Sequence, residues 1–147
     1  MERRPVKPIA QEMREYAERA VAAAREEGYD LDYSEESILK VEEILSVLYD
    51  STPRGILNQL LGRTPSRRVL TELALMWGAY IGEVMRRKDG GFWTDQSVIP
   101  GAGIVLHLKP GDTTPVHKVY KRLTSGPRES VWSYFQVYKK VRAEGST

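Results

Sequence analysis

The chain has 147 residues, no cysteine, two histidines and a formal net charge of +2. That length suits a single domain with a buried core of its own. The missing thiols exclude disulfides, thiol catalysis and thiolate metal sites. The net charge conceals a polarity. Residues 1–50 carry 7 Lys and Arg against 13 Asp and Glu, a balance of −6, while residues 51–147 carry 15 against 7, a balance of +8. Such a division offers a basic surface to an acidic partner, or sets acidic helices beside basic ones inside one fold.

The opening MERRPVKPIAQEM contains no apolar h-region, so no secretory signal is expected there. Ile9, Met13, Tyr16, Ala17, Ala20, Val21 and Ala24 recur at helical spacing, which predicts a helix from Pro8 to about Glu27, ended by Gly28. Asp32 or Ser34 can cap the next helix, with Glu35 and Glu36 favourable in its first turn. Ile38, Val41, Ile44, Leu45 and Leu48 line one face of it until Asp50. STPRGILNQLLGRTPS reads as a connector with one short helix at Ile56–Leu61.

Ser66 can cap a long helix that runs to about Lys88. Its stretch Leu73–Gly82 is the longest uncharged apolar run, and its ten residues fall far short of the roughly 20 that span a bilayer. A soluble cytoplasmic protein without a membrane segment is therefore expected. Two β-prone runs follow, Phe92–Ile99 and Ile104–Leu108, joined by a PGAG turn. Thr114 and Pro115 then start a helix as cap and first residue, with Val116, Val119, Tyr120 and Leu123 inward and Gly126 at its end. Pro127 opens the last helix, whose apolar side is Val131, Trp132, Tyr134, Phe135, Tyr138 and Val141. The predicted fold is α+β and mainly α: one helical domain, residues 1–147, with a small antiparallel β-hairpin before the last two helices.

Gly78 and Gly82 stand four apart in the interior of the long helix, at the margin of an apolar arc formed by Leu70, Leu73, Trp77, Tyr80, Ile81 and Val84. Each costs about 0.8–1 kcal/mol relative to alanine, so another element must need the missing side chains. A phosphate cradle is excluded, because its glycines lie in a loop before a helix rather than in mid-helix. The remaining reading is close packing. Gly90 and Gly91 would turn the chain sharply, the hairpin would lie back along both glycines, and Trp93 would be wedged against the helix with Glu83 accepting from its indole N–H. Arg86 or Arg87 would complete Glu83, which otherwise forms an i,i+4 pair with Arg87. A ligand pocket requires instead a groove left open near Tyr80, Glu83 and Asp95, and an exposed Trp93 would be a partner-binding anchor.

The run Gly78, Tyr80, Gly82, Glu83 (G-x-Y-x-G-E), the G-G-x-W that ends at Trp93, the segment PVHKVYKRLTSG and a last aromatic helix resemble small uncharacterised bacterial proteins of unknown function. The resemblance covers about residues 66–142. It implies a bacterial cytoplasmic origin and a similar fold, and it implies no activity.

His107 and His117 would need further metal ligands such as Asp95 or Asp112, and no H-x-H or H-x-x-x-H spacing is present. There is no G-x-S-x-G elbow, Walker loop or dinucleotide fingerprint, so no cofactor and no catalytic residue is assigned. Trp93, Trp132, Tyr134, Phe135 and Tyr138 share the C-terminal half with Lys118, Lys121, Arg122, Arg128, Lys139, Lys140 and Arg142. Interleaved cations and aromatics suit single-stranded nucleic acid. Their helical spacing also places the aromatics on a core face and the cations on a solvated one. The leading expectation is a protein that works by binding another protein, as adaptor, inhibitor or immunity-type partner, or by pairing with a second copy of itself. Nucleic-acid binding through Lys118, Lys121 and Arg122 is the alternative, and an enzyme with a pocket at Tyr80, Glu83 and Asp95 the third reading.

Overall fold

The computed structural model describes residues 7–95 and 103–145. Helix α1 spans Ile9–Glu26, α2 Ser37–Ser51, α3 Ile56–Leu60 and α4 Arg67–Asp89. Strands β1 (Phe92–Thr94), β2 (Val105–Leu108) and β3 (Gly111–Thr113) follow, then α5 (Pro115–Ser125), a 3₁₀ turn at Pro127–Glu129 and α6 (Val131–Gly145). The mainly helical α+β class is as the patterning predicts.

Helix α4 is the axis of the molecule. Ser66 caps it, its hydroxyl accepting from the Val69 N–H at 3.2 Å, and Gly90 ends it in the left-handed conformation, φ 72°. Every residue from Trp77 to Met85 is buried, glycines and Glu83 included. A helix buried all round must be covered on every side. Helix α1 lies on one flank and α5 on another, with the sheet near its C-terminal part. The seam on α1 is Met13, Ala17, Ala20 and Ala24, all buried. Three alanines at i, i+3 and i+7 bring the two helices together without bulky side chains between them. Gly28, at φ 86°, closes α1 while the Tyr29 N–H returns to the Ala24 carbonyl at 2.9 Å, a 6→1 helix-ending bond.

Glu36 holds the N-cap position of α2 and makes no side-chain cap bond; of the two candidate caps, Ser34 reaches the first helical N–H and Asp32 only closes a turn in the loop before it. Asp32 accepts from the Ser34 N–H at 3.0 Å and the Ser34 hydroxyl from the Ser37 N–H at 3.1 Å. Ile38, Val41, Ile44 and Leu45 are buried on α2, which packs on α5 and α6.

The expected hairpin is a three-stranded antiparallel sheet in the order β1-β2-β3, with Trp93 opposite Leu106 and His107 opposite Asp112. The third strand is Gly-Asp-Thr, and Gly and Asp carry no strand propensity, so nothing in the residues announced it. The Gln96–Ile99 part of the first β-prone run and the turn residues Pro100–Ala102 lie outside the described residues. Thr114 is the N-cap of α5 and Pro115 its first residue, as predicted, while the start of α6 differs. Thr114 starts α5 through its backbone carbonyl, which accepts from Lys118 N–H at 3.0 Å, and its side chain makes no cap bond. Pro127 opens the 3₁₀ turn instead of α6, because Ser130 takes the capping role: its hydroxyl accepts from the Ser133 N–H at 3.1 Å. On α6, Val131, Phe135 and Tyr138 are buried, whereas Val141, expected inside, is exposed and lines an open groove with Tyr138 and Pro110.

Candidate functional site

Gly82, Glu83, Gly91 and Trp93 form a clasp at the C-terminal half of α4. Gly91 passes so close to β2 that a Cβ there would collide with the His107 carbonyl oxygen. From that turn β1 delivers Trp93, 4 % exposed, onto the α4 backbone. A Cβ at Gly82 would fall inside the six-membered edge of the Trp93 ring, and it would also stand 3.1 Å from Pro115 Cγ. The indole N–H donates to Glu83 Oε2 at 2.9 Å. Arg86 closes on the same carboxylate with two bonds, Nε to Oε2 at 2.6 Å and a terminal nitrogen to Oε1 at 3.0 Å. Glu83 has no exposed surface. Burying a carboxylate demands such satisfaction, and the i,i+3 arginine and the cross-element indole supply it.

Two details differ from expectation. Gly78 does not receive the hairpin: a Cβ there would meet Val116 Cα at 2.5 Å and Val116 N at 2.8 Å, so it admits the start of α5. The two glycines therefore seat two different elements. Arg87 does not pair with Glu83. Its guanidinium stacks 3.4 Å from the ring centroid of Tyr33, which leaves Arg86 as the partner.

Tyr80 and Glu83 share the helix but not a pocket. Tyr80 is fully buried on the side of the α1–α2 loop. Its hydroxyl accepts from the Tyr33 N–H at 2.8 Å and bonds the Ser37 hydroxyl at 2.7 Å. Ser37 in turn donates to the Ser34 carbonyl at 2.6 Å, which makes the tyrosine the donor in the shared bond. Burial pushes the Tyr80 phenol above its ordinary pKa, against the pull of the Tyr33 N–H. Asp95 is exposed just after β1. The three residues offered as a catalytic pocket are thus two core groups, each saturated by its own partners, and one surface carboxylate.

The cations named for nucleic acid also separate. Arg122 is 1 % exposed, a correction to its expected place on a solvated face. Its Nε donates to Glu42 Oε2 at 2.8 Å and a terminal nitrogen to the Ser46 hydroxyl at 2.7 Å. Glu42 further accepts from the Ser130 hydroxyl at 2.5 Å and from the Trp132 N–H at 3.1 Å. It therefore serves as a second cap for α6. Burial opposes ionisation of Glu42, but the bonds from Ser130, Arg122 and Trp132 outweigh it and hold the carboxyl below its usual range. Lys118 is partly buried and paired with Glu129 at 2.6 Å. Lys121 alone of the three is exposed. His107 bonds Asp112 across the sheet at 2.5 Å, and His117 is exposed on α5. No group of three or more His, Cys, Asp or Glu gathers to hold a metal among the described residues, and no helix there is long and apolar enough to cross a membrane.

The surface feature that patterning did not single out is α3. None of its residues is buried, and Ile56, Leu57 and Leu60 are 78, 70 and 79 % exposed, with Leu61 beside them at 53 %. An open cavity of about 620 Å³ lies between this connector and the α4 and α5 helices, lined by Pro53, Ile56, Pro65, Leu70 and Leu123 among others. Its signal was present as the apolar centre of STPRGILNQLLGRTPS, but helical spacing alone could not say that the side chains face outward.

Comparison with protein-family models, with curated proteins and with solved structures finds no match for this chain.

Proposed function

We propose that this protein works by binding another protein, and that the α3 face is where it does so. The observation that carries the reading is the exposure of four consecutive-turn apolar side chains, Ile56, Leu57, Leu60 and Leu61, beside an apolar-lined cavity. Scattered apolar residues on a surface are ordinary, but a contiguous patch with polar surroundings marks an interaction site. The motif residues support this assignment by elimination: Tyr80, Glu83 and Trp93 are consumed in holding the core, which leaves them without a reactive or ligand-facing group. Nucleic-acid binding loses Arg122 to the interior. The reading fits an adaptor, an inhibitor or an immunity-type protein equally.

The test is paired capture from lysate with the full chain and with the Leu57→Ser/Leu60→Ser variant. Both positions are exposed, so the melting temperature should be unchanged, as for surface substitutions within about 0.5 kcal/mol. A protein retained by the wild type and lost by the variant supports the assignment. Identical retention by both places the binding elsewhere and refutes it.

A further inference from the structure

The α3 face is apolar, and the segment that holds it carries charge of one sign. From Ser51 to Thr71 the chain holds Arg54, Arg63, Arg67 and Arg68 and not one Asp or Glu. Arg54 is committed locally, stacked 3.6 Å from the Tyr49 ring centroid and bonded to the Tyr49 carbonyl. Arg63, Arg67 and Arg68 are exposed, and none has an ion-pair partner among the described residues. Two of them sit where the backbone opposes them. Arg67 and Arg68 open α4, whose first turn carries no acidic residue, at the positive end of the helix dipole where anions are favoured. The fold gains nothing from that placement, whereas a negatively charged visitor does.

We infer that the α3 face receives an acidic amphipathic segment of a partner protein, its apolar side chains against Ile56, Leu57 and Leu60 and its carboxylates against Arg63, Arg67 and Arg68. This rests on the protein-binding reading above and adds the chemistry of the partner. Charge complementarity selects the occupant. A second copy meeting this face across a two-fold axis brings the same arginines against one another, since such an interface is built from one patch repeated, and like charges set together oppose association. Nucleic acid satisfies the arginines and leaves the leucines wet. A lipid surface accommodates both, but an open cavity of about 620 Å³ lined by Ile56, Leu70 and Leu123 adjoins this face, as in grooves that take one face of a helix.

The experiment titrates the full chain by fluorescence anisotropy with a labelled helix-forming peptide of about four turns, Leu on one face and Glu on the other. Control peptides carry Lys in place of Glu, or Ser in place of Leu. The Leu/Glu peptide should bind, more weakly as salt rises, and the Leu/Lys peptide should bind at least about tenfold more weakly. Arg63→Gln/Arg67→Gln/Arg68→Gln should lose about tenfold toward Leu/Glu and no longer separate it from Leu/Lys. No association with the Leu/Glu peptide at low salt overturns the inference. So does equal binding of Leu/Lys, which refutes the charge match while the paired capture still decides the protein-binding reading. Association with phosphatidylcholine–phosphatidylserine vesicles and with none of the peptides assigns the face to a membrane and overturns it. A concentration-dependent dimer in sedimentation, abolished by Leu57→Ser/Leu60→Ser, assigns the face to a second copy and overturns it too.

Discussion

Replacing Gly82 by alanine ought to stabilise the long helix, and the clasp reverses that sign. In an exposed helix interior the change is worth about 0.8–1 kcal/mol in favour of alanine. Here the new methyl occupies the place of the Trp93 ring. That ring cannot step aside freely, because it is 4 % exposed and its N–H is fixed on the buried carboxylate of Glu83 at 2.9 Å. Forcing an extra carbon into such packing costs about 1–3 kcal/mol. If the indole slides far enough to release Glu83, a hydrogen bond to a charged group worth about 1.5–3 kcal/mol is lost as well. Set against the propensity gain, the net is a destabilisation of about 2 kcal/mol, or about 4–8 °C in melting temperature for a chain of this size.

Urea unfolding of Gly82→Ala, Trp93→Ala and the double variant separates this cause from a general intolerance of the helix. Trp93→Ala alone should cost about 3–5 kcal/mol. In that background the methyl at position 82 has space, so adding Gly82→Ala should be neutral or stabilising by up to about 1 kcal/mol. Gly78→Ala is the control: its methyl meets the Val116 backbone, so removing Trp93 should not rescue it. A single Gly82→Ala variant as stable as the wild type, or a cycle with no coupling between positions 82 and 93, would refute the reasoning.

Arg122→Ala strands Glu42 with only Ser130 and the Trp132 N–H, and should cost about 3 kcal/mol or more by denaturant titration, as breaking a largely buried ion pair does. Glu42 and Glu35 both sit below the ordinary glutamate value of 4.5, despite burial, through the bonds from Ser130 and Arg122 on the first and from Lys139 and Arg142 on the second. A lowered folded pKa means that the unfolded chain binds protons first, so the contribution is complete above pH 4.5 and is lost as pH falls through the folded values. Melting temperature measured across that window should fall, with a shallower acid limb in Glu42→Gln. On the alkaline side, burial raises Tyr134 from 10.0 to about 12 despite its bond with Thr113. The unfolded phenol ionises first, so stability should decline between pH 10 and 12, and tyrosinate absorbance in the folded protein should lag behind that of the unfolded chain.

How much of this was legible depends on whether the signal was local. Periodicity marks the helices that hide a stripe, which α3 does not, and the hydroxyls of Ser34 and Ser66 act within three residues of themselves. The clasp was readable because unfavourable residues are informative: two mid-helix glycines and a Gly-Gly-Phe-Trp turn are costly unless something lies close by. The partner of Gly78 was not readable, because a bare helix margin says that a neighbour approaches and not which one. Arg122 was misplaced for the same reason. Its position on α5 is polar by pattern, and only the arrival of α2, whose Glu42 lies eighty residues earlier, turns that face inward. Ser130, which patterning did not single out, caps α6 in place of Pro127. Strand β3 left no trace because its pairing is supplied by β2.

The charge polarity of the chain finds its explanation in those distant pairings. Glu35, from the acidic first third, is approached by Lys88 at 3.5 Å, Lys139 at 3.1 Å and Arg142 at 3.1 Å, and Glu42 holds Arg122. Acidic α2 and its preceding loop are thus matched to the basic later helices, which is the packing reading of the −6 and +8 balances. A solvated pair is worth little, but Glu42–Arg122 is largely enclosed, and there an unpaired member is expensive. The division of charge along the chain therefore favours α2 lying against α5 and α6 over arrangements that bring like helices together. This matching does not reach the connector, whose Arg63, Arg67 and Arg68 are exposed and without an ion pair among the described residues, as are Lys109, Lys121, Arg128 and Lys140 elsewhere.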